Sequence, residues 1–174
     1  MITVYLQGNH RPLKADGPKL LKLWSKTDPI CLLRQCLVNK MRSRHWRGAA
    51  NAKKKWMEVC HAMLEVDGKP VSGPAVVVIE QAIPGNCDTD AAAKAILDGI
   101  QHCVFESGDD RSMGPLVVVP RKPTRKGLKP YVKVMVASIA DEPAVAQQLV
   151  AEGLLLAHED YYGERQGSFF KDNV

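Results

Sequence analysis

The chain has 174 residues, 45% of them hydrophobic and 25% charged, which is typical of one globular domain. Its net charge of +5 is too small an excess to indicate a nucleic-acid partner unless the basic residues cluster. The sequence lacks a secretory signal, a membrane-length apolar run and a zinc-type cysteine spacing, and its five cysteines therefore suggest reduced thiols. We expect a soluble, cytoplasmic protein with no membrane partner.

The N-terminal part is predicted to contain one strand and two helices. Residues 2–6 alternate apolar and polar side chains, as a half-buried strand does. Residues 30–41 should form a helix that Thr27 or Asp28 caps. A second helix is predicted over 49–65, before a turn at 67–68. Its apolar face is expected to consist of Ala52, Trp56, Val59, Cys60 and Met63.

The middle of the chain predicts a buried strand followed by an amphipathic helix. Residues 74–79, PAVVVI, form a continuous β-branched run of the kind found in a central strand. The helix should extend from Asp90 to Val104. Its apolar face, which we expect to pack on the sheet, consists of Ala92, Ile96, Gly99, Ile100 and Cys103.

The last third predicts two strands, over 116–119 and 131–139, joined as a hairpin by a basic loop. A final helix should begin at Pro143 and end near Leu156, and residues 157–174 are expected to be a flexible tail. The order of elements indicates a single α+β domain in which helices pack on a small mixed β-sheet.

The most acidic segment surrounds the predicted helix of the middle region. Four-residue steps place Asp90, Lys94 and Asp98 on one helix face. Asp88 directly precedes this helix, and the acidic pair 109–110 follows it after a short turn. Clustered carboxylates repel one another unless a divalent cation neutralises them, and oxygen ligands suit Mg²⁺, with Mn²⁺ as a possible substitute. We therefore predict a metal site here.

Each of these residues also has a purely structural interpretation. Asp88 can cap the helix, Asp90 can favour the helix dipole, and residues 109–110 can form a turn. The combined spacing favours the metal site. For Asp98 two interpretations stay open. It can orient Lys94 beside the metal ligands, or it can form an exposed i,i+4 pair with that lysine.

Two basic stretches are candidate contacts to DNA phosphates, the alternative being solvated surface. One lies between residues 42 and 55, where Trp46 is a candidate for stacking on a base and Trp56 is predicted to be core. The other is the loop after the acidic segment. The predicted DNA-binding residues are Arg44 and Arg47 in the first stretch and Arg121, Lys122, Arg125, Lys126 and Lys129 in the second.

One combined pattern extends over about residues 70–139. It consists of an apolar strand, a D-x-D motif, a lysine and an aspartate at four-residue steps, an acidic pair and two strands around a basic turn. This pattern resembles the RusA family of Holliday junction resolvases. The family normally has Asn after the second Asp, where this chain has Ala91. The residues at matching positions are Asp88, Asp90, Lys94, Asp98 and Asp110.

The resemblance implies a homodimeric, Mg²⁺-dependent endodeoxyribonuclease that cuts branched DNA, in particular four-way junctions, during recombination and repair. The implied catalytic residues are Asp88, Asp90, Lys94 and Asp110, and the implied metal ligands are Asp88, Asp90, Asp109 and Asp110. A non-catalytic, dimeric DNA-binding relative, which Ala91 makes conceivable, is the alternative. A metal-dependent phosphohydrolase acting on nucleotides is a third interpretation, which the basic loop disfavours.

Overall fold

The structure is a computed structural model. It describes residues 1–7, 30, 33, 50–51, 53–54, 56–58, 60, 65–83, 88–107, 113–121 and 130–169, with side chains described as far as residue 158.

Five strands form one mixed sheet within these ranges, and two helices have defined bounds. The strand order is β2-β1-β5-β3-β4. Strand β3 pairs in parallel with β4 and antiparallel with β5, and β1 is antiparallel to both of its neighbours. The elements are β1 (Ile2–Gln7), β2 (Glu65–Asp67), β3 (Ala75–Ala82), α1 (Thr89–Val104), β4 (Met113–Pro120), β5 (Tyr131–Ser138) and α2 (Pro143–Phe169).

Side chains on β3 alternate between two apolar cores, one on each face of the sheet. Ala75, Val77 and Ile79 join the core on the α1 side, whereas Val76 and Val78 join the core on the α2 side. Both faces are covered, and this explains why the strand is apolar at successive positions. The predicted class, a single α+β domain with helices packed on a mixed sheet, is confirmed.

A helical segment upstream of β2, described between residues 50 and 60, covers part of α1. Trp56, only 1% exposed, and Cys60 belong to the α1-side core, as predicted. The indole Nε1 of Trp56 donates to the carbonyl oxygen of Ala95 at 2.8 Å. Gly99, one helical turn later, leaves the space for this approach, since a Cβ there would lie 2.3 Å from the same Nε1.

Substitution of Gly99 by Ala should therefore destabilise the protein, although alanine is the better helix former. The added methyl group would collide with both Trp56 and Cys60, and overpacking of this kind typically costs about 1–3 kcal/mol. Urea unfolding measures the difference in the free energy of unfolding. Ala151→Gly, at an exposed position of α2, serves as a control, expected to lose only the helix propensity of one alanine, about 1 kcal/mol. A gain in stability of about 1 kcal/mol in Gly99→Ala, which is the helix propensity of alanine alone, would contradict the described packing.

Several sequence predictions need correction. The helix predicted to reach residue 65 is wrong at its end, because Glu65–Asp67 is strand β2. Asp67, predicted to lie in a turn, belongs to this strand, and a bend follows at Gly68, with a φ of 107°. Helix α2 continues to Phe169 rather than ending near Leu156, through most of the segment expected to be a tail. Strands β4 and β5 do not form a hairpin, because β3 lies between them. Among the described helices, none is both long and apolar enough to cross a membrane.

Candidate metal and nucleic-acid site

The carboxyl end of β3 leads towards the aspartates at the start of α1. The chain leaves β3 at Ala82 and enters α1 at Thr89, next to Asp88 and Asp90. Strand β4 is parallel to β3 and ends at this edge of the sheet, whereas β5 is antiparallel and begins here. The described ends of the basic loop, Arg121 and Pro130, therefore lie on either side of β3 at this edge.

Asp88 and Asp90 lie at the start of α1 and are both exposed. Asp88 occupies the N-cap position, but its side chain makes no capping hydrogen bond. The carboxylate Oδ1 of Asp90 accepts a hydrogen bond from the backbone N–H of Ala91 at 2.8 Å. Asp88 is therefore the N-cap residue, but the alternative interpretation that its side chain caps the helix is wrong.

The two carboxyl groups interact closely enough to shift each other's pKa. The hydrogen bond with Asp90, followed by the negative charge of Asp90, raises the pKa of Asp88. The same hydrogen bond, followed by the one from the Ala91 N–H, lowers the pKa of Asp90. When Asp88 is protonated, its proton is shared with the Asp90 carboxylate. A divalent cation would compete for this position.

A ¹³C NMR titration of the aspartate carboxyl groups tests this pairing. In Asp90→Asn the pKa of Asp88 should fall towards its ordinary value, because the neighbouring negative charge is gone. In the parental protein, the affinity for Mg²⁺ should rise as the pH increases through the raised pKa of Asp88, because the proton and the cation exclude each other. An Asp88 pKa that is the same in both proteins would mean that the carboxyl groups do not interact.

Lys94 and Asp98 differ in exposure although both follow Asp90 at helical spacing. Lys94 is exposed, whereas Asp98 is buried, with 8% of its surface accessible. The Oδ2 atom of Asp98 lies 3.1 Å from Nζ of Lys53, on the upstream helical segment. The interpretation of Asp98 as an exposed partner of Lys94 is therefore wrong. The ion pair also places one lysine of the basic stretch 42–55 against α1, with 41% of its side chain still exposed.

A cluster centred on Glu80 holds both ends of the basic loop. Glu80 Oε1 accepts hydrogen bonds from Arg121 Nε at 3.0 Å and from the Tyr131 hydroxyl at 2.6 Å. The Arg121 backbone N–H also donates to the Gln81 carbonyl at 2.8 Å. The Tyr131 ring stacks on Tyr5, with 5.9 Å between centroids. Burial, followed by the hydrogen bond to Glu80, raises the pKa of Tyr131. The hydroxyl group therefore keeps its proton and donates it in the hydrogen bond.

The Glu80 cluster includes Arg121. Among the residues predicted to bind DNA, Arg121 is the one that lies in the described ranges. Its guanidinium is paired with the Glu80 carboxylate, and only 20% of its side chain is exposed. The pair as a whole carries no net charge. Arg121 therefore anchors the start of the loop, and its contact with DNA stays a prediction.

Gln81, the next residue of β3, points to the α1 side of the sheet and is only 5% exposed. Its Nε2 donates to the Thr89 carbonyl at 3.3 Å, between the two aspartates. Sequence reasoning overlooked both Glu80 and Gln81. The available signal was a pair of polar residues at the end of an apolar strand that leads directly into the acidic motif.

The remaining predicted site residues lie outside the described residues: Asp109, Asp110, Lys122, Arg125, Lys126, Lys129, Arg44 and Arg47. Over the described ranges, no three His, Cys, Asp or Glu side chains converge in a way that could hold a metal ion. The structure thus brings together Asp88 and Asp90, with Lys94 one turn further along α1.

Comparisons of the chain with protein-family models, with curated proteins and with solved structures gave no match. The assignment of function therefore depends on the chemistry of the residues at this edge of the sheet.

Proposed function

We propose that this protein is a Mg²⁺-dependent endodeoxyribonuclease of the RusA type that resolves Holliday junctions and related branched DNA. The observation that carries the proposal is the interacting pair Asp88 and Asp90, near the sheet edge where β4 ends and β5 begins. Acidic groups that bind a cation and basic groups that bind phosphate are the two parts that hydrolysis of a DNA backbone requires.

The donor set fits a hard divalent cation. Asp88 and Asp90 offer exposed carboxylate oxygens whose mutual repulsion a cation would relieve. Asp109 and Asp110 are the further ligands that the RusA resemblance implies. Bound at these residues, Mg²⁺ would supply an activated water and stabilise the charge that develops on the phosphate and the leaving oxygen.

The other residues have distinct roles in this proposal. Lys94 is exposed one helical turn after Asp90, where its ammonium group would attract a phosphate and stabilise its charge in the transition state. The Glu80 cluster holds the two ends of the basic loop beside β3. The loop lysines and arginines would bind the phosphates next to the one that is cut.

A cleavage assay on labelled four-way junctions, with and without Mg²⁺, tests the proposal. Paired cuts near the branch point are expected with Mg²⁺, whereas EDTA should prevent them and unbranched duplex should be cut far more slowly. Junction binding without cleavage would instead favour the non-catalytic DNA-binding relative. Neither binding nor cleavage would contradict both functions.

Resolution by two symmetric cuts requires two active sites, and a two-fold dimer supplies them. We therefore expect a homodimer of two 19.2 kDa chains in light scattering. A protein that remains monomeric at micromolar concentration and still makes paired cuts would contradict this expectation.

A further inference from the structure

Two tyrosine rings lie on the face of the sheet that α2 partly covers. Val4 and Leu6 of β1 belong to the α1-side core, and Tyr5 between them therefore projects from the opposite face. Tyr131 precedes Val132, which also belongs to the α1-side core, and projects from that same opposite face. The two rings stack with 5.9 Å between centroids and 25° between planes, and both residues are partly accessible to solvent. Together they form one aromatic surface.

The α2-side core covers only part of this face. Its described members come from β3, β4, β5 and α2, and none of them comes from β1. Lys133, which lies opposite Tyr5 on β5, projects from the same face and is also partly accessible. We call Tyr5, Tyr131 and Lys133 the tyrosine face. It lies beside the α2-side core rather than within it.

The charge around the tyrosine face is positive. Glu80, opposite Lys133 on β3, is paired with Arg121, which neutralises its negative charge. The basic loop begins at Arg121 and ends next to the tyrosine face, and its sequence, RKPTRKGLKP, contains basic but no acidic residues. Single-stranded nucleic acids bind to cations beside flat rings, because their phosphates bind the cations while their bases stack on the rings. The tyrosine face therefore complements such a strand in both charge and shape.

The Tyr131 ring is held in place without a ligand. Its hydroxyl donates to Glu80 at 2.6 Å, while its ring stacks on Tyr5. Because the pKa of Tyr131 is raised by burial and by this hydrogen bond, the phenol carries no negative charge that would repel a phosphate. A ring that is already ordered loses little conformational entropy when a base stacks on it.

We propose that the tyrosine face binds single-stranded DNA, in an inference that rests on the proposed function. Unpaired bases stack on Tyr5 and Tyr131, and Lys133 binds an adjacent phosphate. Duplex arms that open at a branch point supply such bases. Every base has a flat ring, and the face therefore binds without sequence preference.

The principal test measures the binding of a labelled oligothymidylate by fluorescence anisotropy in Tyr5→Leu, which keeps an apolar side chain but removes the ring. We expect its affinity to fall about tenfold, within the range found for the loss of one stacked base. Tyr5→Phe keeps the ring and is the matched control, expected to bind like the parental protein. An oligonucleotide of the same length built from abasic sites keeps only the phosphates, and both variants should bind it equally.

A further variant tests the phosphate contact. Lys133→Ala should make the slope of log K against log[salt] for oligothymidylate shallower by about 0.7. Lys69→Ala, at an exposed position just beyond β2, should keep the parental slope. A parental slope in Lys133→Ala would overturn the role of Lys133.

A measurement on the parental protein keeps the test independent of whether Tyr5→Leu folds. Addition of oligothymidylate should shift the ring NMR signals of Tyr5 and Tyr131, and the spectrum of Tyr5→Phe identifies the Tyr5 signal. Unshifted ring signals, or equal affinity for oligothymidylate in Tyr5→Leu and Tyr5→Phe, would overturn the inference. Junction cleavage is measured separately, and such a result would leave the proposed function standing. A parental protein that binds neither oligothymidylate nor junctions would overturn both.

Discussion

Replacement of Asp90 by Asn is expected to abolish junction cleavage while leaving junction binding intact or tighter. Asparagine keeps a side-chain oxygen that can accept the Ala91 N–H, and the start of α1 should therefore remain folded. The charge needed to hold the cation is lost, and with it the activation of water. Loss of the same charge weakens the repulsion of DNA phosphates, which explains why binding should not suffer.

Single-turnover cleavage at saturating protein and a separate binding titration measure these two effects. Asp141→Asn is the matched control, because Asp141 is an exposed aspartate beyond the far end of β5, at the opposite edge of the sheet. It should cut at the parental rate. If Asp90→Asn also cuts at that rate, Asp90 is not a metal ligand.

The variant that combines Arg125→Ala with Lys126→Ala, in the loop between β4 and β5, is expected to bind junctions more weakly and with a shallower dependence on salt. If each residue contacts one phosphate, the slope of log K against log[salt] should become shallower by about 0.9 per residue. With binding at 1 M salt unchanged, the double variant would bind a junction about 30-fold more weakly at 0.15 M salt. Its single-turnover rate at saturating protein should change far less, because the aspartates are untouched.

Filter binding or fluorescence anisotropy over a range of salt concentrations gives this slope. Lys69→Ala is a suitable control, since Lys69 is exposed and lies just beyond β2, whose Asp67 pairs with Thr3 towards the opposite edge of the sheet. A double variant that keeps the parental slope would mean that the loop does not contact phosphate. Normal binding with no cleavage would instead place a basic residue beside the reacting phosphate.

Local patterns predicted the elements at the site well. The β-branched run 74–79 became β3, and the helix predicted from Asp90 to Val104 begins one residue earlier. Both depend on short-range periodicity, which is present in the sequence itself. Strand β2 was missed because its three residues, EVD, are too few to show a period, and pairing with β1 makes them a strand.

The candidate site was predictable only in part. The spacing of Asp88 and Asp90 around the start of a helix placed them together, as the structure has them. The same spacing placed Asp98 on their face, but a helix face can be exposed at one end and covered at the other. The upstream helical segment brings Lys53 to Asp98, and nothing in the local sequence indicates that contact.

The sequence by itself determined which segments are strands and helices at this site, and that two aspartates begin α1. Only the tertiary structure decided that β3 lies between β4 and β5, and therefore that the two ends of the basic loop flank β3 at the sheet edge where the aspartates lie. It also decided that Glu80 holds both ends of this loop and that Gln81 supports the turn between the aspartates. The physical reason is that element type follows from neighbouring residues, whereas strand order depends on which distant apolar faces bury one another.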